Sequence, residues 1–114
     1  MTVLELAKES AKILDNKKAI DTKVIEIGEI SSLADYFVVA TGTSSTHVKS
    51  LADELEYQLK GMGVTPHNVE GHRSNSWILL DYGDVIIHVF SKEAREFYGL
   101  DRLWKDGKEI ELQY

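Results

Sequence analysis

The sequence predicts an α/β fold in which helices cover a mixed β-sheet, and three observations support this fold class. An amphipathic helical pattern precedes the first strand pattern, and a second helical pattern follows the next strand. The run YFVVAT is apolar throughout, which is typical of a strand buried on both faces. A hairpin pattern comes late in the chain, so parallel and antiparallel strand pairs are expected in one sheet.

The size and charge of the chain limit what it can do. Its 114 residues fit a single domain, residues 1–114, that can bury a core without disulfides. The net charge of −6 argues against direct binding to nucleic acid and favours a basic partner. Cysteine is absent, which excludes thiolate chemistry. The N-terminus lacks an apolar signal core and no apolar run could span a membrane, so we expect a cytoplasmic protein.

Local patterns place the elements of the first half of the chain. Thr2 and Glu5 have the spacing of a capping box at the start of a helix. Ser45 or Thr46 can cap a second helix, which a glycine pair ends. The predicted elements are a helix at 2–16, a strand at Thr22–Ile27, a connection with one helical turn at 30–35, a strand at Tyr36–Thr41 and a helix up to about Lys60.

The second half is predicted to contain a hairpin and a helix. A short strand near Val64 or Val69 is expected to precede a mobile loop at Gly71–Ser76. Residues 105–114 are polar and are expected to form a flexible tail in which only Ile110, Leu112 and Tyr114 could dock. The other predicted elements are strands at Ser76–Asp81 and Asp84–Phe90, a helix at Lys92–Tyr98 capped by Ser91, and its continuation at Leu100–Trp104.

The tip of the hairpin combines one tyrosine with two acids. A two-residue primed turn would place Tyr82 at positive φ, which is unfavourable for a bulky residue. We therefore expect a three-residue loop, with Asp81 and Tyr82 in a type I turn and Gly83 in the left-handed position. Tyr82 would then be exposed between Asp81 and Asp84, where it could receive a basic, partly apolar surface. Both acids are also common turn formers that need no partner.

Several residues beside the hairpin tip have both a core and a contact interpretation. Core packing explains Trp77 as readily as contact with a partner does. His88 is most simply a structural histidine, because the sequence offers no base or nucleophile to accompany it. Arg95 lies among acidic residues and is most simply part of a weak surface ion pair. A helical stripe is expected to be mostly core: Phe97, Leu100, Leu103 and Trp104.

The sequence offers no assembled catalytic or metal-binding constellation. The loop Gly42–Ser45 follows a buried strand and precedes a helix, as phosphate-binding loops do, but it lacks the GxxxxGK[ST] and GxGxxG spacings. The four histidines show no metal-ligand spacing, and no serine lies in a GxSxG motif. We therefore expect no catalytic residue, cofactor or metal. The alternative is a nucleotide-binding or nucleotidyltransferase-type enzyme that uses Gly42–Ser45.

Three segments of the chain resemble a known family. They are DYFVVATGTSSTHVKSLADEL at 35–55, the pair Glu70-Gly71, and WILLDYGDVIIHVFSKEAREFYGLDRLW at 77–104. Together they resemble the ribosomal silencing factor family, also called Iojap-like, over nearly the whole chain. The pattern W…DYGD…HVF…R…Y.L..LW in the last segment is the most specific part of this resemblance.

The resemblance implies a nucleotidyltransferase-like fold without catalytic residues and a homodimer in the free state. It also implies binding to ribosomal protein fourteen of the large subunit, which blocks joining of the small subunit when nutrients are scarce. It assigns a contact role to residues that match the signature: Trp77, Asp81, Tyr82, Asp84, His88, Arg95 and Tyr98. A core role stays open for Trp77, Phe90 and Trp104.

The leading hypothesis is therefore a translational repressor that binds the ribosome and catalyses nothing. The enzyme that uses Gly42–Ser45 is the runner-up. A dimerisation module with another client protein is the third possibility.

Overall fold

The structure is a computed structural model that describes residues 1–74 and 76–112, without the side chains of Asp101 and Leu103. Within these residues the chain forms four helices and six strands. The helices are α1 (Val3–Asn16), α2 (Ser45–Gly61), α3 (Lys92–Tyr98) and α4 (Leu100–Leu103). The strands are β1 (Ile20–Glu26), β2 (Tyr36–Gly42), β3 (Asn68–Glu70), β4 (Trp77–Asp81), β5 (Val85–Ser91) and β6 (Lys108–Ile110).

The described strands form one mixed sheet in the order β3-β4-β5-β2-β1-β6. The central strands β2 and β5 run parallel, from the pair Tyr36–Val85 to the pair Gly42–Ser91. The other four pairings are antiparallel. The predicted α/β class with a mixed, helix-covered sheet is confirmed. The run YFVVAT occupies the middle of the sheet, where both faces of a strand are buried.

Both long helices begin at side-chain caps. The Glu5 amide donates to the Thr2 hydroxyl (3.1 Å) and the Thr2 amide donates to the Glu5 carboxylate (2.8 Å), so the predicted capping box is present. In α2 the cap is Ser44, whose hydroxyl accepts from the His47 amide at 3.1 Å. The predicted cap at Ser45 or Thr46 is therefore wrong by one or two residues.

One face of the sheet is covered by α1 and α2. Ala7, Ala11 and Leu14 of α1 and the apolar stripe of α2 pack against alternate strand residues in one buried cluster. The strand residues in this cluster include Val24, Val38, Ala40, Ile78, Leu80, Ile87 and Val89.

The opposite face is covered only in part, by the short helices α3 and α4. A second cluster unites Phe37, Val39 and Phe90 of the sheet with Ala94 of α3 and Leu100 of α4. Trp77 and Ile86 are half-buried at its margin. The helices thus cover this face over the central strands and leave the part formed by β3 and β4 accessible.

Several local predictions have different outcomes. The short strand predicted near Val64 or Val69 forms at Asn68–Glu70, so its position at Val69 is confirmed. The helical turn predicted within 30–35 lies earlier, at 27–31, where the Ser31 amide donates to the Ile27 carbonyl at 2.9 Å. The predicted mobile loop Gly71–Ser76 contains Asn75, which lies outside the described residues. The polar tail contains β6, which pairs with β1 through Val24–Ile110 and was not predicted. The residues of β6 are mostly exposed because this strand lies at a sheet edge. Tyr114, which was expected to dock, lies outside the described residues.

The hairpin turn also differs from the prediction. The last strand pair, Asp81–Ile86, places Tyr82 opposite Val85, and the Tyr82 amide donates to the Val85 carbonyl at 2.9 Å, so the loop contains only Gly83 and Asp84. Gly83 has φ +87°, as the first residue of a type II′ turn requires. The primed turn is therefore feasible, because the positive φ falls on Gly83 and not on Tyr82, where it was expected.

Candidate functional site

An accessible, partly apolar region of the sheet is here called the open face. It comprises the outward side chains of β3, β4 and β5 that alternate with core residues: Glu70, Trp77, Leu79, Asp81 and Ile86. Register places Glu70 beside Leu79, and Asp81 beside Ile86. Leu79 is half-buried and belongs to neither hydrophobic cluster of the described residues. The open face therefore combines apolar surface with two carboxylates.

Trp77 anchors an aromatic cluster at one end of the open face. Its ring centroid lies 4.5 Å from that of Tyr98, 5.0 Å from that of Phe90 and 5.9 Å from that of His88. Phe90 is fully buried, while Tyr98 of α3 is 48% exposed. Trp77 itself is half-buried, so part of its indole packs in the core and part remains accessible. Packing on several rings fixes its orientation, which suits an interface anchor.

His88 lies beneath Trp77 and is 4% exposed. The indole Nε1 donates to His88 Nδ1 at 3.1 Å, so the ring proton is on Nε2. Nε2 is buried and has no hydrogen-bond partner among the described residues, and the Phe37 ring lies edge-on at 4.7 Å. Burial lowers the pKa of His88 to about 4. His88 is thus buried and neutral, and it supports the Trp77 indole from within.

Tyr82 is a core residue, which contradicts the exposed position predicted for it. It is 7% exposed and packs in the cluster beneath α1 and α2. Because Tyr82 pairs with Val85, strand alternation directs its ring to the helix-covered face, away from Asp81. Burial raises the pKa of the Tyr82 phenol to about 12, and Glu56 adds to this increase. Its hydroxyl has no hydrogen-bond partner among the described residues.

The two acids of the hairpin have different roles. Asp81 is half-buried, and its carboxylate accepts from the Gly83 amide at 2.8 Å, which holds the turn. Asp84 is exposed. Its carbonyl accepts from the amides of Asp35 (2.8 Å) and Tyr36 (3.1 Å), which joins the hairpin to the start of β2. Only the Asp84 carboxylate is fully available to a partner.

Arg95 is buried, so its predicted position at the surface is wrong, although Nη2 does lie 3.4 Å from the Asp21 carboxylate. Its side chain is 9% exposed, and Nη1 donates to the Asp21 carbonyl (2.6 Å) and to the Thr41 hydroxyl (2.8 Å). These bonds join α3 to β1 and β2. Phe97 also departs from its predicted core position, being 80% exposed beside Tyr98. Of the other stripe residues, Leu100 is buried and Trp104 packs edge-on to Phe37 at 5.2 Å, while the Leu103 side chain lies outside the described residues.

A cleft of about 220 Å³ adjoins the open face between Glu70, Gly71, Trp77 and Leu79. Gly71 has φ +78°, and a Cβ there would lie 2.0 Å from the Trp77 carbonyl. Only glycine permits this approach of the loop to the β4 backbone. The cleft has an aromatic wall, an aliphatic wall and a carboxylate at its rim, so it fits a long basic side chain.

The Gly42–Ser45 loop is already occupied by its own hydrogen bonds. The Thr43 amide donates to His47 Nδ1 at 2.9 Å, and His47 Nε2 donates to the Lys17 carbonyl at 2.8 Å. Ser44 caps α2. These bonds use groups that a phosphate would need. Among the residues that the structure describes, no three potential ligand side chains assemble around a metal position, and no helix has the length and apolarity to cross a bilayer.

Comparison with known proteins decides the family. A family model described as ribosomal silencing factor during starvation matches residues 1–114. The ribosomal silencing factor RsfS of Halalkalibacterium halodurans is 34% identical over 113 residues, covering 99% of this chain and 97% of the relative. The factor of the same name from Bacillus subtilis is 34% identical over 114 residues, covering 100% and 97%.

The chain belongs to the ribosomal silencing factor family. The resemblance found in the sequence is therefore confirmed. A crystal structure of a Chromobacterium violaceum protein has a TM-score of 0.89 to this chain at 33% identity, covering 100% of this chain and 94% of that one. The two chains thus share one fold.

Leu79 and Ile86 are open-face residues that sequence reasoning missed. The signal that identifies them is strand alternation, because Leu79 lies two residues from Trp77 and two from Asp81. Ile86 lies opposite Asp81 and becomes assignable only when the hairpin register is known. The apolar run WILLD concealed the alternation, since both of its faces carry hydrophobic residues.

Substitution of Tyr82 distinguishes its core position from a contact role. Tyr82→Phe removes a buried hydroxyl that has no hydrogen-bond partner among the described residues. The free energy of unfolding should therefore stay the same or rise by about 1 kcal/mol. Tyr82→Ala should lose about 3–5 kcal/mol through the cavity it leaves. Urea denaturation measures both changes. A loss of several kcal/mol in Tyr82→Phe would show that the hydroxyl has a structural partner.

His88 makes stability depend on pH. Folded His88 titrates near 4 and an unfolded histidine near 6.5, so the unfolded chain binds more protons between these values. This contribution to stability is present above pH 6.5 and is lost as the pH falls towards 4. Between pH 7 and pH 5, the free energy of unfolding of the native chain should fall by about 2 kcal/mol more than that of the His88→Asn variant. Asparagine can still accept from Trp77, and equal losses in urea denaturation would contradict the assignment.

Proposed function

We propose that this chain is a cytoplasmic translational repressor that binds the large ribosomal subunit and blocks joining of the small subunit. The observation that carries this proposal is the open face, which offers apolar surface, fixed aromatic rings and carboxylates. The partner contact is made with ribosomal protein fourteen of the large subunit. The function requires steric obstruction, so it needs a stable interface and no catalytic group.

Charge complementarity supports this choice of partner. The chain carries a net charge of −6, and ribosomal proteins are commonly basic. Glu70 and Asp84 are exposed at the open face and hairpin tip, where they can attract a basic surface and accelerate encounter. Desolvated rings at the centre and charges at the rim are the usual arrangement of a protein interface.

The contact residues of the proposal differ from those predicted. Trp77, Asp84 and Tyr98 remain contacts, joined by Leu79 and Glu70. Asp81 lies on the same face but also holds the turn. Residues that act from inside the chain are Tyr82, His88 and Arg95, which support the backbone or the indole.

A homodimer in the free state is part of the proposal. Phe97 and Tyr98 are large aromatic residues that are exposed to water in the monomer. If dimerisation covers this aromatic surface, ribosome binding and self-association compete for it. Binding of a large subunit then requires the dimer to dissociate.

Charge reversal on the open face tests the proposed contact. Glu70→Lys together with Asp84→Lys should weaken binding to purified large subunits by about ten-fold or more, because two favourable charges become repulsive. Inhibition of subunit joining should weaken with it. Sucrose-gradient cosedimentation measures the first effect, and light scattering of subunit association measures the second.

A matched control reverses two acids on the helix-covered side. Glu9 of α1 and Glu56 of α2 are half-buried, so Glu9→Lys with Glu56→Lys changes the net charge equally. This control should bind large subunits nearly as the native chain does. If both double variants lost the same affinity for large subunits, the change in net charge would explain the loss. This result would contradict an interface on the open face.

A further inference from the structure

A second cavity, of about 340 Å³, lies where the parallel strands β2 and β5 end and α3 begins. Ile20 and Asp21 of β1, Thr41 of β2, and residues of α3 and α4 line it. Trp77 and Leu79 do not line it, so the cavity is separate from the open face. Ligands of α/β proteins commonly bind beyond the carboxyl ends of parallel strands.

Buried Arg95 builds the floor of this cavity. Its bonds to the Asp21 carbonyl (2.6 Å) and the Thr41 hydroxyl (2.8 Å) join two strands, and Nη2 lies 3.4 Å from the Asp21 carboxylate. Asp21 has φ +52°, which is costly for a residue with a side chain. The β1–β2 register is irregular between Ile20 and Lys23. Arg95 thus holds a strained bulge in one conformation, and such strain is concentrated at binding sites.

The charges at the cavity favour an anion. Three basic residues line it, Lys92, Arg95 and Arg102, against two acidic residues, Asp21 and Glu96. Lys92 and Arg102 are exposed, and neither belongs to an ion pair among the described side chains. Two exposed cations beside a buried third are unexpected in a chain of net charge −6.

We propose that this cavity binds a small molecule that carries a phosphate group. The Arg102 guanidinium can bind phosphate oxygens in a bidentate manner, and the Lys92 ammonium adds a point charge. Ile20 supplies an apolar wall for the rest of the molecule. The volume is within the range of small-molecule pockets, which favours a small ligand over a nucleic-acid backbone. This proposal is independent of the proposed ribosome contact, because it uses different residues.

Nuclear magnetic resonance titration at low ionic strength tests the proposal with four probes: AMP, inorganic pyrophosphate, adenosine and a single-stranded RNA oligonucleotide. AMP or pyrophosphate should saturate shifts of the Asp21, Lys92 and Arg102 amides, while adenosine should not. Lys92→Gln with Arg102→Gln should weaken the binding about ten-fold or more, since charge-assisted hydrogen bonds are lost.

The control is Lys8→Gln with Lys12→Gln, which removes two exposed charges from α1. It should bind the phosphate probes with the native affinity. The proposal is overturned if neither phosphate probe saturates, if adenosine binds as tightly as AMP, or if both double variants lose affinity equally. Tighter binding of RNA than of AMP at the same amides would also overturn it, in favour of a polymer backbone.

Discussion

Unequal coverage of the two faces of one sheet determines the rest of this structure. On one face lie α1, with 14 residues, and α2, with 17. On the other lie α3, with seven, and α4, with four. At about 1.5 Å per residue, α3 spans only about 10 Å, roughly two neighbouring strands. The half of this face formed by β3 and β4 therefore remains accessible, although Trp77 and Leu79 make it apolar.

Because of this asymmetry, we place the proposed contact surface on the sheet and not at the hairpin tip. The sequence predicts that the hairpin tip contacts a partner through Tyr82, but the Tyr82 ring packs beneath α1 and α2. In the proposed function, the partner meets the side of the strands that no helix covers. Trp77 is held by the His88 ring and by neighbouring aromatics. A surface preorganised in this way loses little side-chain entropy on binding.

Sequence reasoning succeeded where the signal is local and failed where it depends on register or long-range contacts. The capping box of Thr2 and Glu5 needs only a four-residue window, and the apolar run of β2 needs only its own composition. The direction of Tyr82 depends on whether the turn is two or three residues long. The bonds of Arg95 reach Asp21 and Thr41, which are 74 and 54 residues away. The strand β6 forms because β1 offers an unpaired edge. The polar sequence of β6 gives no sign of this long-range pairing.

Site-specific photocrosslinking tests the central claim most directly. A benzoylphenylalanine in place of Leu79 lies at the middle of the open face, and one in place of Lys12 lies exposed on α1. After irradiation with purified large subunits, the residue at position 79 should crosslink to a large-subunit protein, and mass spectrometry should identify it as protein fourteen. The residue at position 12 should give no such product. Crosslinking from position 12 but not from position 79 would place the ribosome on the helix-covered side and contradict the account.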